Sequence, residues 1–213
     1  MKKIKSKDYH NYVIKNGKFI GAFEEMYHNI DDPWGQGSAT DIQYDIMLYL
    51  ISRYNICSSD GNVFDIGCGK GAFTARMGNL LVNAKLTAID ISQTAINRAV
   101  DAYSNVNNIS FKTMDIKKDY NKIIEKYDLI VMSQLMWYIL PKFKEIANKL
   151  ISRLNKGGYF LLNQTFYKPE EQKYGKEIVS RVEDALGVIL LNPLEIIEFN
   201  RFTNHNAVIL FKK

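Results

Sequence analysis

The run Asp65-Ile66-Gly67-Cys68-Gly69-Lys70-Gly71 sets three alternating glycines directly behind an acid. Glycine alone lets a backbone adopt left-handed dihedrals and come within contact distance of a ligand, so the run reads as a binding turn. Two more acids stand at the ends of β-rich runs downstream, Asp90 in Leu86-Thr87-Ala88-Ile89-Asp90-Ile91-Ser92 and Asp115 in Thr113-Met114-Asp115-Ile116. A carboxylate placed there can accept both hydroxyls of a ribose. Glycine spacing narrows the ligand further. A dinucleotide site uses G-x-G-x-x-G to bring a helix N-terminus to a pyrophosphate, whereas this chain has G-x-G-x-G behind Asp65. An acid beside the loop suits a ligand with an ammonium group and no phosphate.

Such residues need a parallel sheet to hold them at one edge. From Val63 onward short β-rich runs alternate with helical periods, the pattern of a sheet with helices on both faces. The predicted strands are Val63 to Ile66, Leu86 to Ile89, Ile109 to Lys112, Leu129 to Ser133 and Tyr159 to Asn163, followed by Leu194 to Phe199 and Ala207 to Phe211 as a closing hairpin. Phe143, Ile146, Ala147, Leu150, Ile151 and Leu154 recur at helical spacing between Pro141 and the Gly157-Gly158 turn. A second helix is expected from about Gly175 to Leu186 through Ile178, Val179 and Val182. Ahead of the sheet a helix carries Ile42, Ile46, Tyr49, Leu50 and Arg53 on its expected core face, with Ser38 and Thr40 as candidate caps. The fold class is therefore α/β, a Rossmann-like, seven-stranded, mostly parallel sheet ending in an antiparallel pair. Residues 1–40 form an N-terminal extension or lid, and residues 41–213 form the main domain.

In that order, Asp65-x-Gly67-x-Gly69-x-Gly71, Asp90, Asp115, Tyr127-Asp128-Leu129-Ile130 and Asn155-Lys156-Gly157-Gly158 resemble the motifs of class I S-adenosylmethionine-dependent methyltransferases. The resemblance covers roughly Gly61 to Gln164 and implies S-adenosylmethionine as cofactor. It implies that Asp65 and the backbone of Gly67, Cys68, Gly69 and Gly71 hold the methionyl amine. Asp90 would then bind the ribose hydroxyls with Ile91 against the adenine, and Asp115 would meet the adenine amino group with Ile116 beside it. Ser133, at the end of the fourth strand, joins the same cofactor-binding set.

A finer likeness lies in Asp32-Pro33-Trp34 and in Ser133-Gln134-Leu135-Met136-Trp137-Tyr138-Ile139. Both are similar to elements of the nodulation N-methyltransferases, which act on the free amine of a deacetylated chitooligosaccharide. In that family the second run reads E-V-L-Y-Y-L, so Gln134 stands in place of Glu and Trp137 in place of the first Tyr. The likeness implies that Trp34 helps close a lid over the cofactor. Candidate bases for the acceptor are His28, Tyr138 and His205, since histidine's ordinary pKa suits proton transfer near neutrality.

Other classes fit less well. The run after the fourth strand is not the Asn/Asp-Pro-Pro-Tyr-like element of a nucleic-acid amino-methyltransferase, and no Pro-Cys nucleophile occurs. Cys57 and Cys68 lack zinc spacing, and no clustered acids suggest a metal. The formal charge of +5 is spread along the chain and mixed with acids, as on a solvated surface rather than a nucleic-acid footprint. The apolar runs are too short for a membrane helix, and no apolar stretch follows the basic N-terminus, so a cytoplasmic protein is expected. The expected function is methyl transfer to an N or O atom of a small-molecule or glycan acceptor. The alternatives are an RNA methyltransferase and a non-catalytic cofactor-binding regulator.

Overall fold

A computed structural model describes residues 7–15, 17–35, 41–168, 170–172, 174–201 and 204–213. Its centre is a seven-stranded sheet of β3 (Gly61–Ile66), β4 (Ala84–Asp90), β5 (Ile109–Thr113), β6 (Tyr127–Ser133), β7 (Leu154–Phe166), β8 (Pro193–Arg201) and β9 (Asn204–Lys212). The spatial order is β5-β4-β3-β6-β7-β9-β8. Strands β3 to β7 pair in parallel, while β9 runs antiparallel to both β7 and β8. Because β3 pairs on one side with β4 and on the other with β6, the chain reverses its direction of winding there. That reversal opens a crevice at the carboxyl ends of these strands.

Strand alternation assigns the central side chains to two cores. Phe64, Ile66, Ile130 and Met132 face the layer of α8 (Phe143–Ser152), where they meet Phe143, Ile146 and Leu150. Val63, Leu129 and Val131 face the opposite layer, against Met47 and Leu50 of α3 (Ile42–Arg53) and Phe73 and Met77 of α4 (Ala72–Leu80).

Four expectations are corrected. Helix α3 exists, but it buries Gln43, Met47, Leu50 and Ile51, while Ile42 and Tyr49 are 51% and 52% exposed. An apolar count picks the wrong face because a glutamine occupies a buried position, with Nε2 donating to Asn206 Oδ1 at 2.6 Å. The cap of α3 is Asp41, which accepts from the Gln43 N–H; Ser38 and Thr40 lie outside the described residues. The helix expected from Gly175 spans only Val182–Val188 (α9). Asp184 accepts from the Ser180 N–H, the Ser180 hydroxyl and the Arg181 N–H, and this cap starts the helix at Val182. Gly157 and Gly158 lie inside β7 and not in a turn before it, beside a register shift between Tyr127 and Leu129.

The N-terminal segment is more regular than its sequence suggests. It holds α1 (His10–Val13), a hairpin of β1 (Ile14–Lys15) and β2 (Lys18–Phe19), and α2 (Phe23–Asn29). Tyr12, Val13, Phe23, Met26 and Tyr27 form its own small core, closed against Ala95 of α5 (Gln93–Ala102). Among the described residues, no helix is long and apolar enough to cross a membrane.

Candidate active site

The glycine turn follows β3 and is clasped from beneath. The Gly67 and Cys68 N–H groups donate to the Ile89 carbonyl at 2.8 and 2.9 Å, and the Gly69 N–H donates to Asp90 Oδ2 at 2.9 Å. Asp90 Oδ1 accepts from the Ser92 N–H at 2.9 Å, so one carboxylate ties the turn to the start of α5. Gly71 sits at φ 81° as the first cap of α4, and a Cβ there would lie 2.8 Å from the Phe111 ring. Left-handed dihedrals cost a non-glycine residue about 1–2 kcal/mol. The half-buried Phe111 ring can shift, but the Cβ of buried Ala99, 3.1 Å away, has no rotamer to give, so Gly71→Ala is expected to lose at least about 1–2 kcal/mol in urea unfolding, from strain in α4's cap and this contact. Unchanged stability would remove Gly71's structural role.

A narrow cavity of about 110 Å³ lies at the crevice, against Gly67, Asp90, Asp115, Ser133 and Tyr138. Ile91, Met114, Ile116 and Leu135 give it apolar walls, and Phe23, Tyr27 and Trp34 of the N-terminal segment cover it. Gly67, Asp90, Ile91, Asp115, Ile116, Ser133, Trp34 and Tyr138 thus all line this one cavity. Asp65, Cys68, Gly69 and Gly71 do not line the cavity. Asp65 is buried beneath the turn, accepting from the Thr74 hydroxyl at 2.6 Å, and Cys68 packs with Ala88 and Ile96. His28 is exposed in the last turn of α2 and also lies outside the cavity wall. His205 pairs with Glu198 at 2.6 Å on the terminal strands.

Burial raises the Asp90 carboxyl to about 6, against lowering by the N–H groups of Ser92, Gly69 and Ile91. Asp115 accepts from the Lys117 N–H at 3.0 Å, capping α6 (Ile116–Asp119). Burial pushes the Tyr138 and Tyr27 phenols well above their ordinary value. Both hydroxyls therefore stay protonated near neutrality, which makes them hydrogen-bond donors and not bases.

Two features escaped the sequence reading. The first is a neutral amide floor under Ser133. Gln134 Nε2 donates to Gln43 Oε1 at 3.1 Å, and Asn163 Nδ2 donates to Ser133 Oγ at 2.8 Å and to Gln43 Oε1 at 3.2 Å. Gln134 takes φ 54° to make this turn. Its signal was the polar run Asn163-Gln164-Thr165 ending an apolar strand. The second is the latch of the N-terminal segment. Glu24 accepts from the hydroxyls of Ser92 and Thr94, both at 2.6 Å, and Lys70 of the glycine turn lies 3.3 Å from Asp32. Arg98 Nη1 donates to the carbonyls of Ile30 and Asp31 at 3.0 Å.

Residues 57–186, more than half of the chain, match the family described as "Methyltransferase domain", and the chain belongs to that family. It is 34% identical over 140 residues to malonyl-[acyl-carrier protein] O-methyltransferase 2 of Ilyobacter polytropus, covering 63% of this chain and 52% of that one. It is 28% identical over 120 residues to the carboxy-S-adenosyl-L-methionine synthase of Mannheimia succiniciproducens, covering 54% and 48%. The chain spans about half the length of these curated relatives. Among solved structures, the N-methyltransferase NodS of Bradyrhizobium japonicum with S-adenosyl-L-homocysteine superposes at TM-score 0.68 and 22% identity, over 86% of this chain and 92% of that one. TehB of Haemophilus influenzae gives TM-score 0.65 at 20% identity, over 85% and 66%. Both share the Rossmann-like methyltransferase fold.

Family membership implies S-adenosylmethionine as cofactor, and the cavity chemistry fits it. Two carboxylates at successive strand ends alternate with the apolar Ile91, Met114 and Ile116, as a ribose and an adenine require.

Proposed function

We propose that the protein transfers a methyl group from S-adenosylmethionine to an N or O atom of a small-molecule or carbohydrate-like acceptor. The observation that carries this is the pairing of Asp90 and Asp115 around apolar walls at the sheet's switch point, in a chain of the methyltransferase-domain family. The cofactor supplies a methyl on a cationic sulfonium, an electrophile activated by its own charge. Asp90 accepts from the ribose hydroxyls with its free lone pairs, Asp115 and Ile116 receive the adenine, and Gly67 lets the backbone approach. The amide floor offers dipoles without a competing charge. Residues before 41 act as the lid, with Trp34, Tyr27 and Tyr138 excluding water. With the phenols protonated and His28 outside the cavity, catalysis here rests on positioning rather than on a buried base. Relatives named for O- and N-methyl transfer support both acceptor atoms.

Calorimetric titration with S-adenosylhomocysteine and, separately, with NAD tests the cofactor. Saturable binding of the first alone is expected, and binding of NAD alone would sink the reading. Trp34 Nε1 donates to the Tyr27 hydroxyl at 2.8 Å. Trp34→Ala is expected to speed S-adenosylhomocysteine release severalfold, the equivalent of about 1 kcal/mol for one lost hydrogen bond. A stopped-flow release rate equal to wild type would remove Trp34 from the lid.

A further inference from the structure

Tyr138 also lines a second, larger cavity, of about 820 Å³, to which the Ser133 to Ile139 run contributes Trp137 as well. Aromatic residues form much of its wall: Trp137, Tyr138, Tyr167 and Tyr174 from the main domain and Tyr9 from the N-terminal segment. Its acidic lining groups are Asp8, Glu170 and Glu171, and among the described residues neither lysine nor arginine lines the wall. Among the described residues His10 is the basic side chain there, and its Nδ1 lies 2.7 Å from Asp8 Oδ1, a hydrogen bond that holds the Asp8 carboxyl below its ordinary value. Glu170 and Glu171 form no ion pair among the described residues. An acidic wall in a protein of formal charge +5 runs against the overall sign.

Gln172 lines the same chamber and is 6% exposed. Its Nε2 donates to the carbonyls of Tyr174 at 3.1 Å and Val179 at 2.9 Å, which fixes the orientation of the amide. Oε1 is then a buried acceptor with no donor. Aromatic faces attract cations, and carboxylates attract them more strongly.

We propose that this chamber is the acceptor site and that it selects a small organic cation, an ammonium group on an apolar or ring-shaped body. The inference rests on the methyltransferase reading, with Tyr138 as the wall shared by acceptor and cofactor. The positive charge is what the chamber recognises; the methylated atom is a separate matter.

The test uses the whole protein saturated with S-adenosylhomocysteine, titrated calorimetrically at low salt with phenethylamine and with its neutral counterpart 2-phenylethanol. The ammonium is expected to bind about tenfold tighter or more. Glu170→Gln combined with Glu171→Gln should bring the two affinities together while leaving S-adenosylhomocysteine affinity unchanged, and Tyr167→Ala should weaken both probes. Equal affinities in the wild type, preference for the alcohol, or no saturable binding of either probe overturns the proposal. Failure of S-adenosylhomocysteine itself to bind strikes the methyltransferase reading first, and the two failures are therefore told apart.

Discussion

Asp90→Ala is expected to weaken S-adenosylhomocysteine binding by about 2–4 kcal/mol, the sum of two charge-assisted hydrogen bonds to ribose hydroxyls. The size follows from the residue's position, since it is 9% exposed, lines the cavity, and accepts from the Gly69 and Ser92 N–H groups with lone pairs remaining. Because those N–H bonds also shape the glycine turn, one on each carboxylate oxygen, a melting curve accompanies each isotherm. Asp90→Asn keeps one of the two acceptor oxygens, so a loss of affinity with Tm unchanged assigns the effect to the ligand, and a parallel fall in Tm assigns it to the turn. Isotherms for both variants that overlay the wild type would end the ribose assignment. The carboxyl at about 6 adds a pH dependence: binding through the ionised form should strengthen as pH rises through that value.

The second large effect concerns stability. Burial raises Asp65 from 3.8 to about 6, opposed by the Thr74 hydroxyl and reinforced by the charge of Asp90. A carboxyl whose folded value lies above its unfolded one contributes stability that is fully present below the unfolded value and is lost as pH rises through the folded one. The contribution of Asp65 to the stability of the ligand-free protein should therefore fall between about pH 4 and pH 6, by about 3 kcal/mol at 1.36 kcal/mol per pH unit, and Asp90, raised to about 6 as well, adds a loss of the same sign. Asp65→Asn keeps an amide oxygen for Thr74 and removes the buried charge. At pH 7.5 its Tm is expected to rise on the order of 5–10 °C, given about 2–4 °C per kcal/mol for a chain of this size. A Tm that falls instead would mean that the carboxylate is stabilised by more than its one visible donor. The same variant decides whether Asp65 reaches the cofactor amine through its field, since S-adenosylhomocysteine affinity then drops while Tm climbs.

What the sequence made legible was whatever rests on a short, local physical demand. The alternating glycines, the acids at strand ends and the short β-rich runs of β3 and β6 each answer to backbone geometry or to burial on both faces, and the succession of strands along the chain follows from them. The face of α3 was missed because its buried position 43 is polar, and that choice makes sense only beside Asn163, Gln134 and Asn206, which lie far along the chain. The start of α9 was misjudged because Asp184 caps back onto Ser180, a side-chain bond that apolar spacing does not report. His28 drew attention by residue type, yet the histidine that reaches a cavity is His10, brought there by the packing of Tyr9 against Trp34 at 4.8 Å. Chemistry assembled from distant segments is invisible to spacing.

The N-terminal segment has one further consequence, thermodynamic and kinetic at once. Through Asp32 and Glu24 it grips the glycine turn at Lys70 and the start of α5 at Ser92 and Thr94, and through Tyr9 it walls the neighbouring chamber. Under the lid and acceptor proposals above, one element that both occupants must find closed would make their affinities reciprocal, each raising the other by the same factor. Its reopening would then be the step that releases the products.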